Sequence, residues 1–153
     1  MPSVKERCEQ DEALAFEEIY KNTKMGADSI INLLPHVKDD AMRSLMTQQL
    51  DGYEKYAHRA AAHLEGLGVT PREEGFFTRV SARIGMAFNT MLDSTTSHIA
   101  EMMVEGSNMG ITDMTRLLNS CAARGQHASE AVRLAREVVA FEEHNLEVLK
   151  RYL

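Results

Sequence analysis

The side chains able to do chemistry in this 153-residue chain are carboxylates and imidazoles set at helical spacing. His98, Glu101 and Glu105 follow one another at three and four residues, which places them on one helix face. Asp113 lies about two turns further on. Glu142 and Asn145 are three apart, and Glu54 and His58 are four apart. Carboxylate oxygens joined by an imidazole nitrogen suit a divalent metal ion, provided they point to one place. A carboxylate alone inside a helical bundle must otherwise be protonated, paired or bound to a cation.

Other chemistries find little support. Cys8 and Cys121 are too few for a disulfide scaffold or a four-thiolate zinc site. There is no glycine-rich phosphate loop and no Gly-x-Ser-x-Gly elbow. Six of the ten methionines lie between positions 86 and 114, a pattern that reads as core filling because no haem or soft-metal motif accompanies it. A net charge of −6 offers nothing to nucleic acid or to an anionic membrane. The N-terminal residues are charged at once, and no run approaches the roughly 18 apolar residues of a spanning helix. The expectation is a cytoplasmic protein with reduced thiols and neither a nucleic-acid nor a membrane partner.

The elements that must position these groups are helical throughout. Ser3-Val4-Lys5-Glu6 has the form of a capping box. Phe16, Tyr20, Thr23, Ala27, Ile30 and Leu34 then mark one face of a first helix, which Pro35 ends. A second helix is expected from Lys38 to Asp40 onward, with Met46, Leu50, Tyr53, Ala57, Ala60 and Leu64 inward and Gly66 and Gly68 as the stop. Thr70-Pro71-Arg72-Glu73 opens a connecting helix carrying Phe76, Phe77, Val80, Ile84 and Phe88, with Arg72, Arg79 and Arg83 as a basic edge. Reading 71–124 as one helix would give about 75 Å against about 42 Å for the others, so a break is placed near Asn89 to Ser94. Asp93 or Ser94 is then the cap of a third main helix reaching Ala123. Its inner stripe is Ile99, Met102, Met103, Gly106, Gly110, Asp113, Leu117 and Cys121. A fourth follows Gly125, with Ala131, Ala135, Val138, Glu142, Leu146 and Leu149 inward.

This pattern predicts an all-α single domain over 1–153, a four-helix bundle with a crossover helix between the second and third main helices. With Ser97-His98-Ile99-Ala100-Glu101-Met102-Met103-Val104-Glu105-Gly106 and Phe141-Glu142-Glu143-His144-Asn145, the chain resembles bacterial proteins of the ferritin-like superfamily over nearly its whole length. The resemblance implies iron or manganese carboxylate sites, with oxidase or storage chemistry, usually in oligomers.

Tested residue by residue, the ligand set is incomplete. The first helix offers Tyr20, Thr23 and Ala27 at its inner centre. Glu54 and His58 lean outward on the second, where Gln49 and Tyr53 face in. On the third, His98, Glu101 and Glu105 border the stripe and Asp113 lies within it. The fourth has Glu142 central, with Asn145 where the family pattern asks for His. The candidate metal ligands are therefore Glu142, Glu105, His98, Glu101 and Asp113, with Glu54 and His58 weaker. Thr23, Gln49 and Met109 share the level of Glu142, and hydrogen bonds from Thr23 and Gln49 are the alternative to a metal. That alternative makes the protein a non-catalytic bundle acting through protein contacts. The exposed connecting helix favours a homo-oligomer, most simply a dimer.

Overall fold

A computed structural model describes residues 1–71 and 95–153, which form four long helices and no strand. These are α1 (Val4–Leu33), α2 (Asp40–Gly66), α3 (Thr96–Ala123) and α4 (Glu130–Leu149). Single 3₁₀ turns, Leu34–His36 and Lys150–Tyr152, follow α1 and α4.

Each start is a side-chain cap. Ser3 and Glu6 form the reciprocal capping box at α1. Asp39, Thr95 and Ser129 accept the backbone N–H groups of Met42, His98 and Val132. Each such bond satisfies an amide that the helix leaves unpaired, and losing one costs about 1 kcal/mol. Thr95, rather than Asp93 or Ser94, caps α3. Its extended backbone makes α3 a new helix instead of the continuation of a longer one. The crossover helix expected at Phe76 to Phe88, with its basic edge, lies outside the described residues.

The stops are equally local. Pro35 sits in the 3₁₀ turn that closes α1. Past α2, the N–H of Gly68 reaches Glu65 O at 3.0 Å and that of Val69 reaches Leu64 O at 2.9 Å. Past α3, Gly125 and Gln126 repeat the motif on Ala122 and Cys121. Both glycines have φ near +75°, the left-handed geometry this double bond requires.

The apolar side chains form two separate cores. One holds Phe16 and Ile19 of α1, Ala60 and Leu64 of α2, Met114 and Cys121 of α3, and Leu134 and Val138 of α4. The other holds Ile30 and Leu33, Met42 and Met46, Ile99 and Met103, and Leu149. The first therefore joins the beginnings of α1 and α4 to the ends of α2 and α3, and the second joins the opposite ends. α1 runs antiparallel to α2, α3 runs antiparallel to α4, and α2 and α3 are parallel. A parallel pair formed by the second and third described helices is the mark of a bundle whose two hairpins are joined by a long connection. α1 packs on α2, α3 and α4, so its buried arc is wide. No described helix is long and apolar enough to cross a membrane.

Gly125→Ala is expected to destabilise the fold by about 1–2 kcal/mol, because an L side chain at this positive φ is strained. Urea unfolding measures the loss, and an unchanged midpoint would mean that the chain leaves α3 by another route.

Candidate functional site

Between the two apolar cores lies a polar layer. Among the described residues, the buried polar side chains belong to it: Asn22 and Thr23 of α1, Gln49 of α2, Ser107 of α3, and Glu142 and Asn145 of α4. Glu142 is at its centre and only 2% exposed. Asn22 donates through Nδ2 to both carboxylate oxygens at 3.3 Å. The Tyr53 hydroxyl donates to Oε1 at 3.1 Å.

On its third side the carboxylate lies against the backbone of α3. A Cβ at Gly110 would fall on the carboxylate itself, so any larger residue there would force the carboxyl to shift. A Cβ at Gly26 would likewise meet the Tyr53 ring, and one at Gly52 the ring of Phe141. Phe141 in turn packs edge-on to Tyr53, with centroids 4.9 Å apart. Glycine inside a helix costs roughly 0.5–1 kcal/mol relative to alanine. These three glycines make room for the acid, the phenol that binds it and the ring that holds the phenol. All four helices thus meet at one carboxyl group.

The electrostatics follow from this enclosure. Burial raises the Glu142 pKa to about 7 against the opposing pull of the Asn22 and Tyr53 bonds, and the charge of Asp113 adds to the rise. Tyr53 is pushed well above the ordinary phenol value, first by burial and then by the neighbouring carboxylate. It is therefore a neutral donor. Ser107 and Asn145 come near enough to its oxygen to act the other way. Asn145 Nδ2 nevertheless makes no hydrogen bond, and neither does Gln49 Nε2.

Placement of the candidate ligands separates them. Glu142 alone is interior. Glu54, His58 and Glu105 are exposed. His98 is half-exposed and faces Glu101 at 3.6 Å across the surface of α3. Asp113, expected within the inner stripe, is exposed and pairs with Arg116 at 3.8 Å. Gly106 is exposed as well, and Met109 is 61% exposed rather than level with Glu142 inside. The buried line of α3 runs through Ile99, Met103, Ser107, Gly110, Met114 and Cys121. Thr23 turns its hydroxyl to Ile19 O and Tyr20 O of its own helix and leaves the acid to Asn22. Asn22 carries no apolar mark and stands one residue off the apolar line of α1. The only signal for it was the breadth of arc that a helix with three neighbours must bury.

Among the described residues no group of three or more His, Cys, Asp or Glu converges to hold a metal. A two-metal carboxylate centre takes a Glu from each of two helices and Glu-x-x-His from each of the other two. The layer supplies one carboxyl surrounded by amides, a phenol and a hydroxyl, and that donor set does not fit such a centre.

No family model matches the sequence. No curated protein matches it either. A solved structure described as "YcfI, a putative structural protein from Rhodopseudomonas palustris" superposes with a TM-score of 0.73, covering 93% of this chain and 92% of that one at 16% identity. The likeness shows the fold, an all-helical bundle.

Two outcomes test the site. Because the folded pKa of Glu142 lies above the ordinary 4.5, the folded state holds an extra proton. Its contribution is full below pH 4.5 and is lost as pH rises to about 7. Glu142→Gln removes this titration. Its stability relative to wild type should improve by up to about 3 kcal/mol between pH 4.5 and pH 8 in urea unfolding, and parallel profiles would show that burial does not hold the proton. Gly110→Ala should cost about 1–3 kcal/mol by overpacking the carboxylate against α3.

Proposed function

We propose that this protein is a non-catalytic helical bundle that acts through protein contacts, with a homodimer as its simplest assembly. The observation that carries this reading is that the groups bonded to the Glu142 carboxyl, Asn22 and Tyr53 from two other helices, are neutral hydrogen-bond donors. A metal-binding carboxylate must present free lone pairs beside other anionic or imidazole donors. Here the neighbours that reach it are neutral and donate hydrogen bonds. The His98–Glu101 pair, Glu105, Asp113, Glu54 and His58 lie at or near the surface, where such groups are ordinarily solvated. The R. palustris protein of the same fold is described as "a putative structural protein", which agrees with this reading. The ferritin-like resemblance then concerns the scaffold, and a cytoplasmic location stays part of the proposal.

The competing reading is iron or manganese bound at Glu142, with oxidase or storage chemistry. Metal content after anaerobic Fe²⁺ or Mn²⁺ loading, in wild type and Glu142→Ala, separates the two. The proposal expects substoichiometric metal in both proteins, and a discrete oligomer by light scattering. Near-stoichiometric metal that is lost in the variant would overturn it in favour of the metal reading. A strict monomer at high concentration would remove the assembly.

A further inference from the structure

The polar layer has an unbalanced hydrogen-bond account. Above about pH 7, where Glu142 is ionised, its carboxylate can accept about four hydrogen bonds. Glu142 receives three, two on Oε1 and one on Oε2. Two amide nitrogens of the same layer, Gln49 Nε2 and Asn145 Nδ2, are buried without a partner. Their residues are 3% and 4% exposed, so bulk solvent does not reach them. Leaving such donors dry is unfavourable, and native interiors rarely do so. Gln49 stands one turn from Tyr53 on α2, and Asn145 one turn from Glu142 on α4. These helices pack against each other. Both orphans are therefore on the same side of the acid, toward the Met42 and Met46 core.

We infer that this side of the layer is a binding site for internal water, with at least one molecule bridging Gln49 and Asn145 to the free acceptor position of Glu142. A water offers two acceptor and two donor positions. It takes one N–H from each amide and returns a hydrogen to Oε2, which balances the missing donor and acceptors together. A metal cation is the wrong guest for two N–H groups, whereas a water oxygen is the right one. The bridge would tie α2 to α4 at the level where the apolar cores are interrupted. Internal waters of this kind characteristically make about three hydrogen bonds to groups otherwise unsatisfied.

The test uses the full chain in wild-type, Gln49→Met and Asn145→Leu forms, in which near-isosteric apolar side chains replace the amides. Oxygen-17 magnetic relaxation dispersion counts waters held longer than the molecule tumbles. Wild type should show at least one more long-lived water than Asn145→Leu, and each variant should melt at or below the wild-type temperature. Equal dispersion in all three proteins would overturn the inference. So would a rise of several degrees in the melting temperature of both variants, because removing dry orphans relieves a penalty. Thermal melts keep the test decisive should one variant fold poorly, since the other reports separately. Dry orphans would leave the non-catalytic reading intact. Stoichiometric iron or manganese at the layer would overturn both.

Discussion

A single acid with no cationic partner among the described residues, at the meeting point of four helices, is the constraint on which the rest of this bundle depends. Its carboxyl cannot be buried ionised without a large cost, so it retains its proton to about neutrality and takes hydrogen bonds from α1 and α2. To bring those donors within reach, the helices must approach closely. Glycines at 26, 52 and 110 permit the approach, each at a loss of helix propensity that the packed side chain has to offset. One buried group thereby sets the spacing of all four helices.

The layer also divides the interior. Leucines, methionines and alanines above and below it pack as two clusters instead of one continuous seam. Apolar contacts are non-directional and would tolerate sliding by a turn. The bonds from Asn22 and Tyr53 to Glu142 do not, because a shift of one turn, about 5.4 Å, would leave all three groups unpaired. A buried polar residue fixes the register of a coiled coil on the same principle. The surface pair Arg59–Glu137, which joins α2 to α4 with Arg59 lying over Tyr56, adds to the alignment but is exposed and contributes little energy.

Much of this was legible in the residues. The caps at Ser3 and near Asp40, the stop at Pro35 and the terminating glycines are short-range signals, and the helices begin and end close to them. The central place of Glu142 followed from the apolar line of α4. The face of α3 did not. Met102, Gly106 and Asp113 suggested an inner stripe, but a methionine and a glycine are compatible with either side, and Ser107 carried no apolar mark. The partners of Glu142 were misassigned for a related reason. Thr23 sits at the right level, yet a threonine hydroxyl within a helix can satisfy itself on the carbonyls one turn back. Asn22, one residue away, instead reaches across to the acid.

That difference bears on how a carboxylate in a bundle should be read. A carboxylate in the middle of a four-helix sequence invites a search for metal ligands at i+3 on its own helix and at matching levels on the others. The more telling residues are those opposite it. An asparagine and a tyrosine aimed at the acid supply hydrogens, and glycine on the facing helix leaves room for its oxygens. Anionic side chains and imidazoles in the same places would supply lone pairs and leave space for an ion between them. The chemistry open to a buried carboxyl is decided less by the residue itself than by whether its neighbours bring hydrogens or lone pairs, and here they bring hydrogens.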